Sequence, residues 1–285
     1  TRRARIGVWA VAAVIAALGG AGGAAALVIA PIMPATGPVA ATKLVVVGVP
    51  GLRWDDVSVA ATPTLWALAG QSAIGALSVK AADPVSCPPD GWLTLGAGNR
   101  ATADAGRACG SPGPAVDATG TGATVADFTS LARRNRDRPD ATRLGALADA
   151  LSSAGRCAAA AGPGAALAAA NGSGEVAFYR SDALSAASDS SFLARCAVTL
   201  LGATSSTVDA VVSKVRSAAP DAVLLVVGIS EIDRAAAHLH VAMVRGGGFP
   251  AGRLSSASTR RTDFVQLVDV APTVLSSPGI PVASS

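Results

Sequence analysis

The stretch VVVGVPGLRWDDV, positions 45–57, decides how the chain folds. It begins inside an apolar run, LVVVGV at 44–49, rich in β-branched residues and without polar alternation. A strand with one wet face alternates in polarity, whereas a continuous run is buried on both faces and needs helices above and below it. The run then breaks at Pro50-Gly51, and Arg53, Asp55 and Asp56 follow. In a parallel sheet, ligands gather outside the carboxyl ends of the strands. Positions 50–56 are therefore the first place to look for chemistry.

The same grammar extends along the chain. A second buried run, AVLLVV, stands at 222–227, and further strands are expected at 73–80, 156–161, 175–179, 197–201, 238–244 and 264–268. Thr62 followed by Pro63 reads as a helix start, a capping side chain before a proline in the first turn. Helices are expected at 125–134, 143–154, 165–170 and 208–218, and a short one at 270–275. Segment 84–90 reads as a loop, 110–121 is turn-rich, and Asp90 would cap a helix over 92–98. Strands alternating with helices predict an α/β fold, a mostly parallel sheet with helices on both faces. The other strand ends to inspect are 86–90, 162–164, 228–233 and the loop after Val244.

The chain has 285 residues, enough for one large domain. Charged residues are 15%, below the ~25% of a typical soluble domain, and mean hydropathy is +0.46. The formal charge is +4, and Arg2, Arg3 and Arg5 supply most of it. No basic stripe marks the rest, so a nucleic-acid partner is not expected. Residues 6–33 carry no charge and exceed the ~20 apolar residues that span a bilayer. The run is also longer than the ~7–15-residue core of a cleaved signal, so it reads as a retained transmembrane helix. The three arginines before it place 1–5 in the cytoplasm and the remainder outside, with a linker at 34–42 and a domain at 43–285. Four cysteines agree with an oxidising compartment. They allow three pairings, of which Cys87–Cys109 and Cys157–Cys196 close the shortest loops.

Three segments together resemble the alkaline phosphatase superfamily. The first is VVVGVPGLRWDD, similar to the family's opening strand; the second is SCPPDGWLTLGAGNR at 86–100, which looks like its nucleophile loop and helix. The third is QLVDVAPTVL at 266–275, close to its late Asp-x-x-Pro-Thr-Leu element. The set resembles outer domains of a group of actinobacterial membrane proteins in which that fold is degenerate. The resemblance implies an alkaline-phosphatase-like sheet and, in the active members, two metals held by Asp and His that activate a Ser or Thr. The family's first metal-binding Asp falls on Pro50, which has no side-chain donor. Only two histidines exist in the chain, His238 and His240, too few for the family's set.

The remaining candidates are specific. Ser86 and Cys87 occupy the nucleophile position, though a Cys87–Cys109 disulfide would remove the thiol. A sulfatase-type Cys-x-Pro-x-Arg fails because Gly91 stands where Arg is required. Oxygen ligands for a divalent metal could come from Asp55, Asp56, Glu231, Asp233 and Asp269. Alternatively, Ser230 caps a helix with Glu231 and Asp233 in its first turn. His238 and His240 would share one face of a strand, either as a chelating pair lacking a third ligand or as two wet surface residues. Arg53, Asp90, Asn99, Arg100 and Arg260 are the polar residues placed to meet a ligand, the last within a small basic cluster at 258–261.

The leading expectation is a membrane-anchored, extracytoplasmic, non-catalytic domain. It would serve as a binding or assembly module in the cell envelope without a cofactor, with the membrane and an envelope protein or cell-wall polymer as partners. The alternatives are a phosphoesterase-type hydrolase using a divalent metal, and an extracytoplasmic solute-binding domain.

Overall fold

A computed structural model describes residues 43–104, 108–256 and 258–276. The basic flank 1–5, the apolar run 6–33, the linker 34–42 and residues 277–285 lie outside the described residues. Among the described residues no helix is long and apolar enough to cross a membrane.

The strands, in chain order, are β1 (Leu44–Val49), β2 (Ala73–Ser78), β3 (Val116–Thr119), β4 (Gly122–Val125), β5 (Ala158–Ala161), β6 (Glu175–Val176), β7 (Phe178–Arg180), β8 (Val198–Gly202), β9 (Val223–Gly228), β10 (Leu239–Arg245), β11 (Gly252–Arg253), β12 (Ser255–Ser256), β13 (Arg261–Thr262) and β14 (Phe264–Gln266). The helices are α1 (Pro63–Ala69), α2 (Pro88–Ala97), α3 (Phe128–Arg136), α4 (Ala146–Ser153), α5 (Pro163–Ala169), α6 (Ala183–Ala186), α7 (Ser190–Arg195), α8 (Val208–Ala218) and α9 (Val270–Ser276). The main sheet runs β11-β2-β10-β9-β1-β8-β5-β7, and β14 also pairs with β2. Within it only β10 runs antiparallel to its neighbours.

The fold follows from β1. All six of its residues are buried. Leu44 and Val46 point into one core with Trp92, Leu93, Leu147, Leu151 and Leu167, on the side of α2, α4 and α5. Val45, Val47 and Val49 point into the other with Leu65, Leu68, Leu193, Val211 and Val215, on the side of α1, α7 and α8. Fully burying one such side chain is worth roughly 1.5–3 kcal/mol, so a strand buried on both faces anchors two helix layers at once. The mostly parallel sheet with helices on both faces is as the sequence predicts.

Several local expectations are corrected. Asp90 does not begin the helix at 92; α2 starts at Pro88 with Cys87 as its cap, and Asp90 closes a capping box from the third position. Prolines in the first turn cost no helical bond, because those N–H groups lack partners anyway. The expected helix at 125–134 begins later, at Phe128, because Gly122–Val125 pairs as β4 with β3 and β6. The strand at 175–179 divides between that small sheet and the edge of the main one. No helix starts at Ser230, and α6 and α7 lie in a segment where none was expected.

Both disulfides pair as the short-loop reading expects, Cys87 with Cys109 and Cys157 with Cys196. One fastens the start of α2. The other joins the entrances of β5 and β8.

Candidate functional site at the strand ends

The carboxyl ends of β1 and β9 meet the start of β10 and the amino end of α2. Main-chain bonds bind these segments together. The Gly51 N–H donates to the Ser230 carbonyl at 2.8 Å, and the Glu231 N–H donates to the Ser86 carbonyl at 3.0 Å. The contact with α2 is tight at Gly91. A Cβ there would stand 2.0 Å from the Ile229 carbonyl oxygen, so only glycine fits.

Glu231 is the centre of the site, only 1% exposed. Its Oε1 accepts the His238 backbone N–H at 2.6 Å and lies 3.0 Å from His240 Nε2. Its Oε2 lies 3.1 Å from His238 Nδ1, and the Arg53 guanidinium stands 4.0 Å away. Burial works against the charge of Glu231. The bonds to His240 and to the His238 backbone and ring outweigh it and hold the carboxyl below the ordinary glutamate range. His240 is fully buried, and its Nδ1 lies 3.1 Å from the Leu52 carbonyl. Both ring nitrogens thus lie within hydrogen-bond distance of an oxygen. Glu231 and His240 form a buried, hydrogen-bonded pair.

That geometry corrects the reading of His238 and His240 as two wet residues on one strand face. His238 precedes β10, with its ring 36% exposed, while His240 lies within a strand covered on both faces. Both rings meet Glu231.

Trp92 closes the space beside this cluster. The indole is 2% exposed and fits against two glycines. A Cβ on Gly48, near the end of β1, would come within 2.4 Å of its ring, and one on Gly164, at the start of α5, within 2.3 Å. Gly202, at the end of β8, borders the same ring. The crevice in which doubly wound sheets hold ligands is filled here by a side chain of the protein itself.

The nucleophile candidates sit next to this plug. Cys87 is bonded to Cys109, so it has no thiol. Ser86 is 1% exposed and Ser230 is fully buried, and neither Oγ has a hydrogen-bond partner among the described residues. Asp90 is held by the Cys87 N–H at 2.9 Å, the Thr102 hydroxyl at 3.1 Å and the Ala103 N–H at 2.7 Å. Burial nevertheless pushes its carboxyl above the usual aspartate range, because desolvation exceeds what those bonds return. A cavity of about 320 Å³ opens beyond it, lined by the Cys87–Cys109 bridge, Pro112, Arg134 and Arg234.

The remaining candidates do not converge. Asp55 and Asp56 are exposed, and Asp56 accepts the Arg53 N–H at 2.8 Å. Asp233 is exposed and caps the Ala235 N–H. Asp269 accepts from Ser256, Ser258 and the Gln266 N–H at the sheet edge. Asn99 and Arg100 follow the opposite end of α2, about 15 Å from its first residue by helical rise, and Asn99 bonds the Asp140 carbonyl. Arg260 lies exposed in the β12–β13 turn. Among the described residues, no three His, Cys, Asp or Glu side chains are grouped to hold a metal ion. Pro50 offers no donor, and each Glu231 oxygen already meets an imidazole. The residues present do not fit a two-metal centre.

No protein-family model matches the chain. No curated protein matches it in sequence. In structure it is similar to the PH0037 protein from Pyrococcus horikoshii, at a TM-score of 0.50 and 9% identity, over 86% of this chain and 98% of that one. A likeness at that identity concerns the fold alone.

Proposed function

We propose that residues 43–276 form the extracytoplasmic, alkaline-phosphatase-like domain of a membrane-anchored protein, without hydrolytic activity, serving as a binding or assembly module in the cell envelope. The observation that carries this is the closed strand-end centre. Trp92 fills the crevice, Glu231 is hydrogen-bonded to His240, and the Cys87 sulfur is in a disulfide. The two disulfides support the oxidising compartment. The uncharged run at 6–33 supports the anchor.

The test is elemental analysis of the purified full chain after incubation with Zn, Mn, Mg and Ca, with hydrolysis of an activated phosphodiester measured in parallel. Sub-stoichiometric metal and hydrolysis at the buffer rate are expected. Stoichiometric metal that is lost in Glu231→Ala, together with turnover, would overturn the reading in favour of a metal-dependent phosphoesterase. One observation favours that second reading: Glu231, His238 and His240 lie together beside the buried Ser86.

A further inference from the structure

The two ends of the sheet differ in charge. At the amino ends of the parallel strands stand Lys43, before β1, Arg156, before β5, and Arg195, at the end of α7 before β8. The last turn of α8 brings Arg216 to the same end, just before β9, with Lys214 two residues ahead of it in the helix. The antiparallel β10 finishes there with Arg245, which pairs with Leu224. The acids at this end include Asp221 and Glu175, both exposed, and Asp149, which pairs with Arg143.

None of the six cations forms an ion pair among the described residues. Lys43 Nζ donates to the Cys196 carbonyl at 3.2 Å, and the Arg195 guanidinium lies 4.8 Å from the Phe178 ring centre. Those contacts orient the two charges without neutralising them. At the opposite end, by contrast, Arg53 and the two histidines face Glu231.

The chain enters the domain on this basic end, at Lys43. The linker 34–42, even fully extended, reaches only about 30 Å beyond the uncharged run 6–33. We infer that the amino-end face, carried by Lys43, Arg156, Arg195, Lys214, Arg216 and Arg245, docks on the anionic lipid headgroups of the membrane that holds the run 6–33. The inference rests on the anchored reading for its geometry and adds a surface and a ligand chemistry. A short tether keeps the face at high effective concentration over the bilayer. Each Lys or Arg near an anionic surface then adds attraction that decays within a Debye length. The Glu231 end is left pointing away from the lipid.

The test is arginine- and lysine-directed footprinting by mass spectrometry on the full chain. The protein is reconstituted in nanodiscs of phosphatidylcholine, with or without phosphatidylglycerol. In the anionic discs, labelling of Arg156, Arg216 and Arg245 is expected to fall about fivefold. Arg53 and Lys80, at the other end, should label equally in both discs, and raised salt should abolish the difference. The triple variant R156Q/R216Q/R245Q, checked for folding by circular dichroism, should show no lipid-dependent change at Lys214. Equal labelling of the face in both lipids would overturn the inference. Vesicle flotation separates it from the anchored reading. A chain that floats only with anionic vesicles, and only at low salt, keeps the docking face and loses the anchor; one that floats with neither loses both.

Discussion

His240 has no contact with water, yet both its ring nitrogens are satisfied, by the Leu52 carbonyl and by Glu231. Removing one partner of such a buried pair leaves the other's polar atom without a hydrogen bond. Glu231→Ala is therefore expected to cost about 1–3 kcal/mol, read from urea unfolding midpoints. The pH dependence has a definite sign. The folded pKa of Glu231 is lowered, so its contribution is in place above the ordinary glutamate range and is lost as pH falls through the folded value. Wild type should lose stability below about pH 4.3 that Glu231→Gln does not lose, as measured by unfolding across the acid range. Asp90 works in the opposite sense. Its pKa is raised, so acidification relieves the burial of its charge. Trp92→Ala should cost about 3–5 kcal/mol, because Gly48 and Gly164 cannot fill the space that it leaves. Equal unfolding midpoints for the variant and wild type would show that the indole is not packed there.

At the scale of elements, what the sequence made legible depended on whether the cause was local. β1 and β9 were readable because a strand buried on both faces needs no partner to be recognised, and α8 because its apolar residues keep a helical spacing. Val125 read as helix because its pairing partner, Val116, lies in a segment that reads only as turn-rich. The burial of His240 was likewise invisible. Its ring is enclosed by the Leu52 carbonyl and Glu231, and Leu52 lies 188 residues away in sequence. Nothing in the residues near Trp92 names Gly48 or Gly164, far away in sequence, as its neighbours. The start of α2 depends on a long-range bond as well. Opening Cys87–Cys109, which closes a separation of 22 residues, should cost about 2–4 kcal/mol. Thermal unfolding of a Cys87→Ala, Cys109→Ala double variant measures it. A melting temperature equal to that of wild type would mean that the bridge adds nothing at this site.

For the whole molecule, the two cores share a single sheet. Val46 faces one and Val47 the other, on adjacent residues of β1. Loss of either layer exposes the face that the other layer needs. The described domain is therefore expected to unfold in one transition, with near- and far-ultraviolet circular dichroism coinciding. Val46→Ala and Val47→Ala should each lower that transition by about 1–3 kcal/mol without splitting it. Two separated transitions in either variant would show that the layers fold independently.

The position of β1 also has a mechanical consequence. The strand is hydrogen-bonded on both sides, to β8 and β9, and both neighbours run parallel to it. A pull on the chain at Lys43 acts along the strand axis. It must slide β1 out between two ladders, loading their bonds together in shear rather than opening them one at a time. The entrance of β8 is tied to β5 by Cys157–Cys196, so the load passes into a covalently braced edge. A domain held by its first strand in this way would resist stretching of its tether better than one held by a sheet edge.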